Sequence, residues 1–187
     1  MNGKQTGFWQ RSSLILGIMT VLLSLLAHQP LTAAAGRVMW KYKIFQGSIA
    51  TADLTTLAET GETPRRLRRL MRMSGQDPER VRQILTEPIS INLVTLDRIL
   101  NSPVGDVVLG QLSNYIHSPG RTADTQAMRS ALIMSASQDN QLSLMEVIQN
   151  YPTAAIVVEG DQLADAFNTL KRLQGGVENI LGDFNLF

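Results

Sequence analysis

The chain has 187 residues, with 17 basic and 16 acidic side chains, and it contains no cysteine. This length suits one domain, and the near-neutral charge gives no support to a protein that binds nucleic acid. Without cysteine, neither a disulfide framework nor a lipidated lipoprotein terminus can form. The composition therefore indicates a domain that is held together by its hydrophobic core alone.

The first 35 residues have the features of a signal peptide. Lys4 and Arg11 give a basic start, residues 14–27 form an apolar run, and Ala33–Ala35 fits the small-x-small rule for cleavage. The alternative is an uncleaved anchor, but a membrane-spanning helix needs about 20 apolar residues, so the run is short for one. We therefore predict cleavage after the alanine triplet and export to a periplasm, a thylakoid lumen or the cell exterior. Because cleavage removes two of the 17 basic residues, 15 then remain against 16 acidic ones.

Residues 37–50 are predicted to form a β-hairpin. The apolar side of the first strand consists of Val38, Trp40, Tyr42 and Ile44. These residues alternate with Arg, Met and Lys, as in a half-buried strand, and the two aromatic rings make this face a candidate seed for the core. Gln46-Gly47 offers a bend, and residues 48–50 are predicted as a short second strand.

After the hairpin, apolar residues at helical spacing predict a series of short helices. The predicted helices begin at Thr51 or Asp53, Pro64, Asp77-Pro78, Leu93, Pro103, Thr122 or Asp124, Asp139 or Ser143, and Asp161. Thr153–Glu159 is the other convincing strand, and with the hairpin it predicts a sheet of about three strands. The expected class is α+β and mainly helical, with about seven to nine short helices in one domain over residues 36–174.

The sequence lacks the common motifs for catalysis, cofactors and metals. No G-x-S-x-G nucleophile elbow occurs, and the dispersed acids give only an unspecific basis for a glycosidase-like carboxylate pair. His117 is the only histidine after the signal segment, and its place behind a predicted helix favours a capping or surface role over a catalytic base. No P-loop, dinucleotide motif, calcium loop or metal-ligand cluster is visible. We therefore predict no catalytic residue, no cofactor and no metal.

The most unusual polar feature is a cluster of five arginines on the second predicted helix. The cluster consists of Arg65, Arg66, Arg68, Arg69 and Arg72. Leu67, Leu70 and Met71 lie between them at i, i+3 and i+4, so the helix is amphipathic. The arginines can bind phosphates, anionic lipid headgroups or an acidic partner. The plainer alternative is a solvated face that the acidic second half of the chain balances.

Residues 175–187 form an apolar tail that begins at a Gly-Gly pair. Its apolar side chains are Val177, Ile180, Leu181, Phe184 and Phe187. Disordered segments are normally polar, so this tail is predicted to dock. It docks either on the core of its own domain or, as an amphipathic helix, in the groove of a partner.

Several stretches resemble a domain of unknown function that is common in cyanobacteria and usually lies between a signal peptide and an α/β-hydrolase domain. They are V-M-W-K-Y-K-I-F from Val38, S-I-A-T-A-D-L-T-T-L-A-E-T-G up to Gly61, L-D-R-I-L-N-S-P-V-G-D-V-V-L from Leu96, R-S-A-L-I-M-S-A-S from Arg129, and Y-P-T-A-A-I-V-V-E-G from Tyr151. The resemblance covers roughly residues 36–173 and implies an exported helical module, here expected to stand alone. The family is expected to carry Gly, often followed by Pro, at the hairpin bend, where this chain has Lys43-Ile44. No catalytic residue of the enzyme domain has a matching position.

Two functions from different classes follow from these features. The first is an exported, non-catalytic module that binds a hydrophobic ligand or a partner protein, such as an α/β-hydrolase. The second is a small esterase-like hydrolase, as the association of the family with hydrolases suggests. The missing nucleophile elbow favours the first. Peripheral binding to a membrane through the arginine helix is a third and weaker alternative.

Overall fold

In the computed structural model, which describes residues 35–175, the chain starts with a β-hairpin and continues through eight α-helices. The strands are β1 (Arg37–Tyr42), β2 (Phe45–Ala50), β3 (Ile89–Ser90), β4 (Ile116–His117), β5 (Gln141–Leu142) and β6 (Ala155–Glu159). The helices are α1 (Thr51–Thr60), α2 (Arg65–Ser74), α3 (Pro78–Thr86), α4 (Leu93–Leu100), α5 (Pro103–Tyr115), α6 (Asp124–Ala136), α7 (Leu144–Asn150) and α8 (Leu163–Gln174). The predicted class and the predicted range of helix number are therefore confirmed. The signal segment up to residue 34 and the tail from residue 176 lie outside the described residues, and both remain predictions.

Four strands form one mixed sheet in the order β2-β1-β6-β4. β1 is antiparallel to β2 and parallel to β6, and β4 is antiparallel to β6. β3 and β5 pair separately as a two-stranded ladder. The predicted hairpin and its partner β6 are confirmed, but the sheet has one strand more than expected. The additional strand, β4, has only two residues, which is too short for an alternating pattern to show.

The hairpin turn lies at Lys43-Ile44, where the family resemblance places it, and not at the Gln46-Gly47 bend that the residue pattern predicted. β2 begins at Phe45, so only two residues connect the strands. Lys43 has a φ of 52°, as tight hairpin turns require at their first central position. Its N–H donates to the carboxylate of Asp161. Ile44 therefore sits in the turn and is 90 % exposed, so the prediction that it shares the buried face of β1 is wrong.

Most helix ends lie where capping residues predict them. α1 and α2 end at Gly61 and Gly75, and both glycines adopt the left-handed conformation. The side chain of Asp77 caps α3, and Ser143 and Glu146 form a capping box at the start of α7. These signals are local, so the sequence predicts them well.

Three predicted N-caps are wrong, those of Thr51 or Asp53 on α1, of Thr122 or Asp124 on α6 and of Asp161 on α8. None of these helices has a side-chain hydrogen bond at its N-cap. The Asp124 carboxylate accepts instead from the N–H and hydroxyl of Ser118, and Asp161 accepts from the N–H of Lys43. Both carboxylates thus bind segments outside their own helix.

The core lies on one face of the four-stranded sheet. The buried side chains on this face are Val38, Ile49, Ile116, Ile156 and Val158. Helices α5, α6 and α7 pack in succession, and α8 packs on α5. The predicted inward face of β1 is confirmed at Val38, which is buried, and at Trp40, which packs against the core, whereas Tyr42 is only half-buried and does not belong to the core cluster. Within residues 35–175, no helix combines the length and the hydropathy that crossing a membrane requires.

Candidate ligand-binding site

Helix α2 lies against β2 with its apolar side inward and its arginines outward. Leu67 and Met71 are buried, and Leu70 packs against the core at partial burial. All five arginines of the cluster are exposed, and the helix carries no acidic residue. Arg68 donates to the Thr63 carbonyl, but none of the five forms an ion pair with an acid in the part of the chain that the structure describes.

An apolar cavity of about 90 Å³ lies between α2 and the sheet and is partly open to solvent. Its main walls are formed by Val38, Trp40, Ile49, Leu67, Leu70 and Val81. The start of α8 contributes Leu163, and the hairpin contributes Tyr42. The helix that the sequence analysis singled out because of its arginines therefore also forms one wall of an apolar site.

Trp40 brings an unpartnered donor to the wall of this cavity. Its indole Nε1 is buried and makes no hydrogen bond within the described residues. Gly47 is the residue of β2 that pairs with Trp40 of β1. Because Gly47 has no side chain, the indole ring lies close to the β2 backbone. A buried indole N–H normally finds an acceptor, so the lack of a partner for Trp40 Nε1 is an unusual feature of the residues around this cavity.

The opposite face of the sheet carries a polar cluster that three strands build. Lys41 Nζ lies 2.9 Å from Glu159 Oε1, and His117 Nε2 lies 3.4 Å from the same oxygen. His117 is only 3 % exposed, so the predicted capping or surface role is wrong. It belongs to β4, whose pairing with β6 brings it beside Glu159.

The two ring nitrogens of His117 have different partners. Nδ1 lies 2.8 Å from the carbonyl oxygen of Ser118, which can only accept a hydrogen bond, and Nε2 faces the carboxylate of Glu159. Burial alone would raise the pKa of the Glu159 carboxyl, but hydrogen bonds and charges from Lys41 and His117 outweigh burial and lower that pKa.

A second network holds the loop between β4 and α6. The Ser118 hydroxyl donates to the Asp124 carboxylate at 2.6 Å, and the Tyr151 hydroxyl lies 3.3 Å from the same oxygen. Burial raises the pKa of Tyr151, and the charge of Asp124 raises it further. Because the Ser118 hydroxyl points to Asp124, Ser118 and the adjacent His117 do not form a nucleophile–base pair.

Residues 35–175 contain no group of three or more histidine and carboxylate side chains that could hold a metal ion. The arginine cluster, the cavity and the Lys41–Glu159–His117 cluster are thus the chemically distinctive features of this region. Sequence reasoning identified only the arginines. The alternation of β1 did place Lys41 on the polar face of the strand, but it could not show which residues of β4 and β6 lie beside it.

Residues 34–159 match the model of a family described as an alpha/beta hydrolase of unknown function (DUF1400), and this segment is more than half of the chain. The chain belongs to that family. The match confirms the resemblance to a domain of unknown function that is related to α/β-hydrolases. No curated protein and no solved structure matches the chain.

The DUF1400 segment contains every element from β1 to β6. It therefore includes the arginine helix, most of the cavity wall and all three residues of the Lys41–Glu159–His117 cluster. The hydrolase in the family description would use a nucleophile elbow between a strand and a helix, and the sequence of this DUF1400 member has no G-x-S-x-G motif.

Proposed function

We propose that this protein is a non-catalytic binding module that accepts an apolar group in the cavity beneath α2. One observation supports this most strongly: an apolar, partly open cavity is lined by Trp40, whose buried indole Nε1 has no partner within the described residues. Side chains that line an empty cavity lose dispersion contacts, so an apolar group of suitable size gains contacts by entering.

The volume of the cavity limits what can enter. A cavity of about 150 Å³ takes up benzene, so about 90 Å³ suits a smaller group, such as the end of a hydrocarbon chain. Each methylene that leaves water contributes about 0.8 kcal/mol, so a few methylenes give only weak binding on their own. The indole N–H of Trp40 favours a guest that also carries an acceptor oxygen. The proposed ligand is therefore a short-chain alcohol, ester or carboxylate, or the corresponding part of a longer molecule.

The indole N–H of Trp40 reports binding directly, because its NMR resonance responds to a new acceptor. The chain has two tryptophans, and Trp40→Phe assigns the signal. Titration with 1-propanol, a short-chain alcohol smaller than benzene, is expected to move the Trp40 resonance and to leave that of Trp9 in place. Val81→Phe fills the cavity and is expected to abolish the shift, whereas Val94→Phe makes the same change at an exposed site. A Trp40 signal that does not move, or equal binding by both variants, contradicts the proposal.

The family description favours esterase-like hydrolysis as a second candidate function. The buried His117 and the half-buried Glu159 are the groups on which such an activity would depend. The test is hydrolysis of short-chain and long-chain aryl esters by the wild-type chain and by His117→Ala. Turnover well above background that disappears in this variant would overturn the non-catalytic proposal. We expect no such turnover, because the hydroxyl of the adjacent Ser118 donates to Asp124.

A further inference from the structure

We infer that α2 and the β1–β2 turn together form a surface that docks on an anionic lipid bilayer. Five exposed arginines cover the outer side of α2. Ile44 in the turn is 90 % exposed and Met73 at the end of α2 is 52 % exposed, and both are large apolar side chains. This inference concerns a surface outside the cavity and does not depend on what the cavity binds.

The charges on α2 are arranged at an electrostatic cost. Arg65 and Arg66 lie in the first turn, where the helix dipole favours acidic residues. Arg65 also lies four residues before Arg69, and Arg68 four before Arg72, and like charges at this spacing repel. Four cations elsewhere in the described chain, Lys41, Arg82, Arg129 and Lys171, each contact a carboxylate. An anionic surface outside the protein would relieve the repulsion on α2.

The turn and the end of α2 both adjoin the cavity. Tyr42 and Ser74 both line it, Ile44 follows Tyr42 by two residues, and Met73 directly precedes Ser74. Each exposed apolar side chain has a cation next to it in the chain, Lys43 beside Ile44 and Arg72 beside Met73. Apolar side chains that enter the acyl boundary, with cations at the level of the phosphates, are typical of proteins that bind at the membrane interface.

The spread of the arginines favours an extended surface over a single small anion. Ten helical residues span about 15 Å, and the arginines occur from the first turn of α2 to the last. They do not converge on one pocket: Arg65 and Arg68 border a shallow depression that also contains the acidic Glu62. The two exposed apolar residues favour a bilayer over an acidic protein, because a bilayer accommodates both kinds of group without a matching pocket.

The test is co-sedimentation of the full chain with vesicles of phosphatidylcholine, either pure or with about 30 % phosphatidylglycerol. Binding is expected only with the anionic lipid and is expected to weaken as salt is raised. The test variant is the triple substitution Arg65→Gln/Arg66→Gln/Arg69→Gln. It leaves Arg68 and its hydrogen bond to the Thr63 carbonyl intact. This variant is expected to lower the partition coefficient on the order of 100-fold, because each cation near an anionic leaflet contributes a several-fold factor.

The matched control is Arg37→Gln/Arg80→Gln/Arg98→Gln, which removes three exposed arginines elsewhere and is expected to retain most of the binding. A second pair separates the apolar contribution: Ile44→Ser is expected to weaken binding, whereas Val94→Ser, also at an exposed site, is not. Circular dichroism shows whether each variant folds. Equal loss in the two triple variants, or binding that does not require phosphatidylglycerol, overturns the inference.

Discussion

The indole ring of Trp40 lies across Gly47, its direct partner in the neighbouring strand. A Cβ atom at Gly47 would lie 2.7 Å from Trp40 Nε1 and 3.3 Å from Leu70 Cδ2. The missing side chain of Gly47 thus allows the indole to occupy the space between the sheet and α2. The position of one wall of the cavity depends on this pair.

Gly47→Ala is therefore expected to destabilise the protein. Because the indole must shift against α2, the expected loss is about 1–3 kcal/mol, as for other overpacked sites. Urea denaturation measures the difference in the free energy of unfolding. The matched control is Gly110→Ala in α5, where a Cβ meets no atom within 4 Å, and it is expected to add about 0.5–1 kcal/mol. A Gly47 variant as stable as the wild type would show that the indole is not confined.

Gly105→Ala is expected to be more damaging than Gly47→Ala. A Cβ at this position in the first turn of α5 would lie 2.7 Å from Leu100 Cα, and it would be closer still to the Ile99 carbonyl oxygen. These are backbone atoms at the end of α4, so relief requires one helix to move relative to the other. We expect a loss of more than about 3 kcal/mol or a failure to fold, measured by urea denaturation or soluble yield. A loss no larger than that of Gly47→Ala would contradict this ranking.

Lys43→Gly is expected to stabilise the hairpin. Lys43 adopts a φ of 52°, a conformation that costs a side-chain-bearing residue about 1–2 kcal/mol. Glycine removes this cost but is more flexible in the unfolded chain, so the net gain is up to about 1 kcal/mol. The melting temperature measures the gain, and Lys43→Ala, which loses the charge but keeps the strain, is the control. If the alanine variant gains as much, the charge of Lys43 and not its backbone conformation is responsible.

Glu159→Gln is expected to reduce the loss of stability in acid. The folded-state pKa of Glu159 lies below its ordinary value of 4.5. The carboxylate therefore contributes stability above that value, and the contribution is lost as the pH falls through the folded-state pKa. The melting temperature of the wild type should drop from pH 5 towards pH 3 more steeply than that of the variant, which should be less stable at pH 7. The exposed Glu62→Gln should follow the wild-type curve, and a Glu159 variant that also follows it would contradict the prediction.

The sequence predicted those parts of the fold that local patterns determine. The helix ends at Gly61 and Gly75 and the cap at Asp77 follow from the conformations that these residues favour, so neighbouring residues suffice. Asp124 and Asp161 have the same local signal, yet they bind distant backbone atoms, and their predicted caps are wrong. Local propensity does not show whether a long-range partner competes for a side chain.

The site shows the same limit. The amphipathic spacing predicted correctly that Leu67 and Met71 would be buried. The cavity beneath them depends on Trp40 and Val81, which come from separate elements, and no pattern within α2 indicates it. His117 was placed at a helix end because it follows an apolar helix. Its burial results from pairing with β6, whose residues lie about 40 positions later in the chain.

The parallel pairing of β1 with β6 has a consequence for the order of folding. Lys41 and Glu159, which are neighbours across this pair, are 118 residues apart in sequence. The hairpin can form from the first residues of the domain, but its inner edge has no partner until nearly all of the domain has been synthesised. Because closing so long a loop costs entropy before it yields contacts, the pairing is expected to be a late step. During that interval the open edge of β1 is exposed to pairing with other chains, which makes the nascent hairpin the segment most in need of protection from aggregation.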